Sequence, residues 1–467
     1  MLKKRKKILF FIGLAAFFSL VVIQFLFFRS NLSKPLTDLS LIYAFSKNDT
    51  LPVATLSEEG LKCENEEHKS YCEYVLEESA AVISKEQNIS LKKAEELVRK
   101  GGFDIYTFLD TDVTKNVLDV YSAIEPFGAQ SAMAVSDLNG RLLCIMGGLQ
   151  KTQTNYAVQG RFAGSSMKSI GVYAPLIDSK KAHWSTQFLD LPLKKISNTA
   201  GQSNDWPQNF DGKYSAKPIT VCEGIERSLN TIAARALDSL TVSKSMDFLE
   251  TIGVDITAER QGEAQNDNAV MSALAFGYLK KGISVCEMTG CYQIFANGGL
   301  YTAPHTVEKI QYNKKDFYTA KKESMRVISG DTATIMNRLL QNVINGKNGT
   351  ANAIQLKNIV AGGKTGTSQN NKDRWFAGFT PYYVSAVWWG YDDEQPHPDG
   401  PSPCLKIFQN VMQQLHADLP EKDFLYDEGV LALSYCTQSG GLAGKGCPLV
   451  QTGYYQKDNT PKLCPQH

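Results

Sequence analysis

Hydrophobic and polar positions divide the chain into unlike stretches. An apolar run from Ile8 to Phe28 follows five cations, Lys3, Lys4, Arg5, Lys6 and Lys7. Its length matches the hydrocarbon core of a bilayer, and the cations place its start on the cytoplasmic side. The cores of cleaved signal peptides are shorter, and no small-x-small cleavage site follows here, so the run reads as an uncleaved anchor. Residues 31–70 are polar and irregular, with Pro35 and Pro52, and read as a stalk. From Tyr71 to Lys100 the spacing turns helical. Asn88 or Ser90 is placed to cap the second of two helices, and Gly101-Gly102 to end it. Phe103 to Asp110 alternates as a strand does, and Ser131 to Gly148 reads as a hairpin turning at Asn139-Gly140.

Farther along, Met167 to Leu176 reads as an apolar helix and residues 179–220 as a long loop-rich connection. Cys222 to Leu240 reads as one helix, with further helices over 243–253, 268–298 and Thr332 to Val343. Ile359 to Ser368, Arg374 to Phe379 and Val384 to Gly390 then read as strands. Two strands early, three late and helices between predict an α+β domain, an antiparallel sheet flanked by helices and assembled from both ends of its chain. The expected organisation is a basic tail and single transmembrane helix over 1–29, a stalk or linker with short helices over 30–115, a main domain over 116–400 and a cysteine-containing extension over 401–467.

Composition narrows the function classes. The net charge is +1 and no basic stripe is present, which argues against nucleic acid as a partner. The chain has ten cysteines, none in C-x-x-C spacing, so no metal site is expected. Cys144, Cys222 and Cys286 lie in apolar runs and read as core. Cys63 with Cys72, and two of Cys436, Cys447 and Cys464, are candidates for bridging; spacing leaves the connectivity open.

Three short constellations carry chemistry. Ser165 and Lys168 are three residues apart, one turn of a helix, which sets an amine beside a hydroxyl. A serine needs a base to become a nucleophile, and lysine is a base only where its surroundings lower its pKa. Ser90 and Lys93 share the spacing, but there the serine reads as a helix cap. Ser166, only two residues from Lys168, would point away from it. Ser228-Leu229-Asn230 offers a proton shuttle and an amide to one cleft. By itself this second motif is common, and a polar join between loop and helix explains it as well. Lys364-Thr365-Gly366-Thr367 on a strand offers a cation, two hydroxyls and a glycine that leaves room for a ligand's backbone.

Ser-x-x-Lys, Ser-x-Asn and Lys-Thr-Gly in that order resemble the active-site set of penicillin-binding proteins and serine β-lactamases. From about Tyr71 onward the chain resembles the transpeptidase half of class A penicillin-binding proteins. Asp205 to Gly212, Glu226 to Thr231, Ile294 to Gly299, Gly363 to Asp393 and the tail around Cys436, Cys447-Pro448 and Cys464 are all similar to it. The departures are Ala163-Gly164-Ser165-Ser166-Met167-Lys168-Ser169, where the family often has Pro-Gly-Ser-Thr-Phe-Lys-Pro, and the lack of glycosyltransferase motifs between Arg29 and Tyr71.

The resemblance implies a peptidoglycan D,D-transpeptidase without glycosyltransferase activity, anchored in the bacterial cytoplasmic membrane with its catalytic domain outside. Ser165 would be the acylated nucleophile, Lys168 its base and Ser228 a proton relay. Lys364 would lower the pKa of Lys168 by charge repulsion. Asn230, Thr365, Gly366 and Thr367 would bind substrate. The implied partners are D-Ala-D-Ala stem peptides, β-lactams and a separate glycosyltransferase, with no cofactor. The other readings are a D,D-carboxypeptidase, a membrane-bound β-lactamase and a non-catalytic β-lactam sensor or scaffold.

Overall fold

The computed structural model describes residues 39–46, 49–125, 128–149, 154–197, 203–261, 268–391, 395–398 and 400–465. The expected anchor at 1–29 lies outside these residues. Among the described residues no helix is long and apolar enough to cross a membrane. The chain forms two compact units. One comprises the described residues up to Phe108 together with Val307–Lys321, and the other the described residues of Leu109–Thr306 and from Lys322 onward.

The first unit departs most from its expected form. Within the stretch read as a stalk, Ser40–Ser46, Asp49–Ser57 and Gly60–Cys63 are strands. They join a six-stranded sheet whose order continues through Phe103–Asp110 and Val307–Tyr312 to Lys315–Thr319. Ile42, Ala44, Val53, Ala54 and Leu56 are buried. Between the pairs Ile42–Ala54 and Tyr43–Pro52 the strand Asp49–Ser57 carries an extra residue, Val53, a bulge that interrupts its alternation. The helices Lys69–Gln87 and Leu91–Arg99 form as expected, and the Ser90 side chain caps the second by accepting from the Lys93 N–H at 3.4 Å. The Cys63 and Cys72 side chains are within hydrogen-bonding reach of each other.

In the second unit a five-stranded antiparallel sheet runs in the order Gly362–Thr367, Asp373–Phe379, Tyr383–Gly390, Gln130–Asp137, Leu142–Met146. The early pair and the late three share one sheet, as their positions in the sequence predicted. The expected hairpin turn is present: Gly140 has φ 80°, and the Asp137 carboxylate accepts from the N–H groups of Asn139 and Arg141 at 2.8 and 3.0 Å. Every residue of Asp373–Phe379 is buried, because helices cover both faces of the sheet. Val285–Tyr292 packs on one face, and Pro403–Leu415 on the other, beside Thr111–Ser122.

The helix Pro403–Leu415 corrects the expected boundary at residue 400. Its Phe408 ring meets Phe376 of the central sheet with centroids 4.8 Å apart, and the Cys404 thiol donates to the Arg374 carbonyl at 3.2 Å. The appendage therefore begins beyond this helix, with a hairpin of Val430–Cys436 and Val450–Gln456. At the other end, Leu109 and the helix Thr111–Ser122 belong to the second unit, ahead of the expected start at 116.

Three stretches read as continuous helices are broken, 268–298 among them, into Asn268–Phe276 and Val285–Tyr292. Between Met167 and Leu176 the chain passes from a 3₁₀ turn, Gly164–Ser166, through a π-helical turn, Ser169–Tyr173, into the α-helix Ala174–Asp178. Pro175 has no N–H to offer the Gly171 carbonyl four residues back, and that carbonyl accepts from the Ser245 hydroxyl at 2.5 Å instead. Cys222 to Leu240 divides into Val221–Glu226 and Asn230–Leu240. Ser228 lies between them at φ 59°. The Ser228 N–H donates to Ile225 O at 3.1 Å and the Leu229 N–H to Gly224 O at 2.9 Å. That double closure is a Schellman ending, with serine in the left-handed place usually taken by glycine.

If Phe408 is part of the main core, Phe408→Ala should cost about 3–5 kcal/mol and lower the urea midpoint of the whole second unit. An unchanged midpoint would return this helix to the appendage.

Candidate active site

The site begins with a close approach of backbones. Gly164 has φ 57°, and a side chain there would meet the Thr367 backbone at 2.4–2.6 Å. A side chain at Gly366 would meet the Ala163 carbonyl oxygen at 2.2 Å. These two glycines let the turn carrying Ser165 lie directly against the edge strand Gly362–Thr367. At Gly366 the space a side chain would need is taken up by the turn before the serine. Ser165 is left partly exposed, while Ser166 is fully buried and donates its hydroxyl to Ala163 O at 2.7 Å.

Lys168 and Lys364 are both fully buried, and both reach Ser228. Lys168 Nζ donates to Ser228 O at 2.7 Å and to Asn230 Oδ1 at 2.6 Å, and lies 3.4 Å from Ser228 Oγ. Lys364 Nζ lies 2.8 Å from Ser228 Oγ, 3.1 Å from Thr365 O and 3.3 Å from Thr365 Oγ1. The left-handed turn at Ser228 makes this possible, because it points both the carbonyl and the hydroxyl of one residue at the lysines. One hydroxyl oxygen thus stands between two amines that arrive from opposite ends of the domain.

Burial pushes the Lys168 amine well below its ordinary value, and the neighbouring Lys364 charge adds to the effect. The sequence argument had the charge repulsion right but not its rank, since loss of water is the larger cause. Burial alone brings Lys364 down to about 7. A neutral amine accepts a proton as well as donating one, so the pair flanking Ser228 can pass a proton along Lys168, Ser228 and Lys364.

Asn230 is held from three sides. Its side-chain oxygen accepts from Lys168, its amide nitrogen donates to Gln208 O at 2.6 Å, and its backbone N–H donates to Asn209 Oδ1 at 2.9 Å. Asn209 is in turn held by Asp190, whose carboxylate accepts from Asn209 Nδ2 at 2.9 Å, the Thr231 hydroxyl at 2.6 Å and the Ser215 N–H at 2.8 Å. Burial pushes the Asp190 carboxyl up, but these donors outweigh it and hold the group below its ordinary value. Thr350 shares a hydrogen bond of 2.7 Å with the Thr365 hydroxyl. Thr367 ends the edge strand half-buried, with its backbone against Gly164. Asp190 and Thr350 went unread in sequence. Asn209 fell within a stretch similar to the family but had no assigned role. A lone carboxylate or hydroxyl in a loop carries no spacing that marks it.

The fold and this arrangement define a class, the penicillin-binding transpeptidases. The chain belongs to that family: the model of the penicillin binding protein transpeptidase domain matches residues 130–413. Penicillin-binding protein 1A of Clostridium botulinum is 30% identical over 378 residues, a match covering 75% of this chain and 44% of that protein. Penicillin-binding protein 1F of Bacillus subtilis is 29% identical over 351 residues, covering 71% of this chain and 46% of that one. The chain thus spans less than half the length of either relative. Among solved structures, penicillin-binding protein 1A of Haemophilus influenzae aligns with a TM-score of 0.66 at 19% identity, over 84% of this chain and 77% of that one. PonA1 of Mycobacterium tuberculosis in complex with penicillin V aligns at 0.62 and 18%, over 77% and 96%. At these identities the structures attest the fold.

The low value for Lys364 has a measurable consequence. Between pH ~7 and ~10.5 the unfolded chain keeps this proton and the folded chain does not. Stability should therefore rise with pH across that window. Lys364→Met should reduce the slope by about one proton, roughly 1.4 kcal/mol per pH unit, in denaturant titrations at a series of pH values. An unaltered slope would mean that Lys364 stays charged in the fold.

Proposed function

We propose that this protein is a serine D,D-transpeptidase that cross-links peptidoglycan stem peptides through an acyl-enzyme. The observation that carries the reading is the convergence of two buried lysine amines on the Ser228 hydroxyl, one of them from Lys168, three residues after a partly exposed Ser165. Neutral Lys168 takes the proton of Ser165 as its oxygen attacks the carbonyl of the penultimate D-Ala. The oxyanion is held by the backbone N–H groups of Ser165 and Thr367, whose segments the two glycines bring together. Each such donor is typically worth about 3 kcal/mol. Ser228, fed by the lysines on either side, passes a proton to the departing D-Ala amine. An amine from a neighbouring stem peptide then attacks the ester, and the same groups run in reverse.

Lys364, Thr365 and Thr367 receive the terminal carboxylate of the donor peptide. Asn230 orients both Lys168 and the peptide's amide. The Gly362–Thr367 strand stands last in its sheet, which gives an extended peptide a backbone to pair with. β-Lactams present the same amide in a strained ring and acylate Ser165. The apolar run Ile8 to Phe28 tethers the chain to the cytoplasmic membrane with the site outside, and a separate glycosyltransferase supplies the glycan strands.

A fluorescent penicillin tests the central claim. Covalent label should appear on the chain and vanish in Ser165→Ala. Lys168→Met should acylate about 10²–10⁴-fold more slowly, and Lys168→Arg should not rescue it, because a guanidinium stays charged. Failure of the unaltered chain to label would overturn the acyl-enzyme, and label shed within seconds would make the protein a β-lactamase.

A further inference from the structure

The appendage beyond the sheet domain brings three cysteines into one place. The sulfur atoms of Cys436, Cys447 and Cys464 all lie within 4.8 Å of one another. Sequence spacing did not show this, because the residues are eleven and seventeen positions apart and none belongs to a C-x-x-C pair. The backbone explains the convergence. Cys436 ends one strand of the hairpin and begins a tight loop, with its N–H donating to Gly441 O and its carbonyl accepting from the Gly440 N–H, both at 2.8 Å. Leu442 then bridges to Tyr435 on one side and Leu463 on the other, and the Cys464 N–H donates to Leu442 O at 2.8 Å. The last turn of the chain is thereby laid against the loop.

Each sulfur also receives a donor from nearby. The Gly444 N–H points at Cys447 Sγ at 3.2 Å, and the Ser439 hydroxyl at Cys464 Sγ at 3.2 Å. Backbone N–H groups of Gln438 and Ser439 point at the Cys436 sulfur. Donors aimed at all three sulfurs suit thiolates, and they correspond to the outer hydrogen bonds that fix metal ligands. A tetrahedral zinc with bonds of about 2.3 Å would hold its sulfurs about 3.8 Å apart, within the spacing seen. A disulfide would use two of the three and leave the third unexplained.

We propose that Cys436, Cys447 and Cys464 form a structural site for a thiophilic divalent cation, zinc by its ligand chemistry. Each thiol gives up its proton to solvent as the metal binds. Among the described residues no His, Asp or Glu joins the three. In the sequence His467 follows Cys464 by three positions, and it lies outside the described residues. The expectation of no metal site rested on spacing along the chain, and the folded hairpin removes that ground.

The site does not stand apart from the rest of the unit. The loop it closes docks on the turn before Gln187–Leu189: the Ser185 hydroxyl donates to Gly440 O at 2.6 Å and Gln187 Nε2 to Gln438 O at 3.0 Å. That turn holds the start of the helix leading to Ser228, since Val221 and Cys222 donate to Thr186 O and Trp184 O at 2.8 and 3.1 Å. The metal would fasten the hairpin from which this support hangs.

The test uses the full chain, purified without chelator, with metal content measured by plasma mass spectrometry and alkylation under non-reducing conditions mapped by peptide mass. About one zinc per chain is expected. Cobalt exchanged for zinc should give the visible bands of a tetrahedral thiolate site, and Cys447→Ser should lower retained metal at least tenfold while Cys222→Ser leaves it unchanged. Should Cys447→Ser fail to fold, the cobalt spectrum of the unaltered chain decides. A reduced chain that takes up neither metal, or a disulfide joining any two of the three cysteines as isolated, would overturn the proposal.

Discussion

Two ammonium groups cannot share one buried oxygen, and the second unit is built around that constraint. Lys168 and Lys364 have lost nearly all their water, and Ser228 is the group both of them touch. The cost of burying them is carried by the rest of the unit: the sheet sandwiched between helices, the glycine contacts that press the Ser165 turn to the edge strand, and the anchoring of Asn230 through Asn209 to Asp190. Loosening any of these would let water in, and the amines would return toward ordinary, protonated lysines. Stability and the protonation state of the two amines are thus set by the same packing.

Strain is placed where it is used. Ser228 occupies a backbone conformation that glycine would adopt more cheaply, but glycine has no hydroxyl to offer. The helix that would have run through it is broken so that the carbonyl and the hydroxyl face the lysines together. At Gly164 and Gly366 the reverse choice is made, with side chains given up so that two backbones can touch. One site therefore contains both a residue kept despite its backbone and residues kept because they have nothing else.

Much of this was legible in the sequence, for reasons that differ from place to place. The three constellations stood in order, and their order singled out Ser165 over Ser90. The Ser90 cap and the Asn139-Gly140 turn were readable because each depends on neighbours within four residues. What stayed hidden depends on distant partners. Ser40–Cys63 looked irregular because a bulge broke its alternation, and its partner strand begins at Phe103. The break at Ser228 was masked by apolar residues that kept helical spacing through it. Asp190, Thr350 and the meeting of three cysteines are facts of folding in space, with no local pattern to announce them.

The first unit closes on itself late in the chain. Its Phe103–Asp110 strand pairs with Val307–Tyr312, and Tyr106 bonds to Gln311 at a separation of 205 residues. A chain delivered from its N-terminus offers this strand's free edge to solvent while most of the second unit is still being made. At ordinary synthesis speeds that interval is roughly 10–40 s. Throughout it, an unpaired strand edge is a template for pairing with a neighbouring nascent chain. The order in which this chain emerges during synthesis, and not only its final contacts, therefore bears on how much of it reaches the folded state.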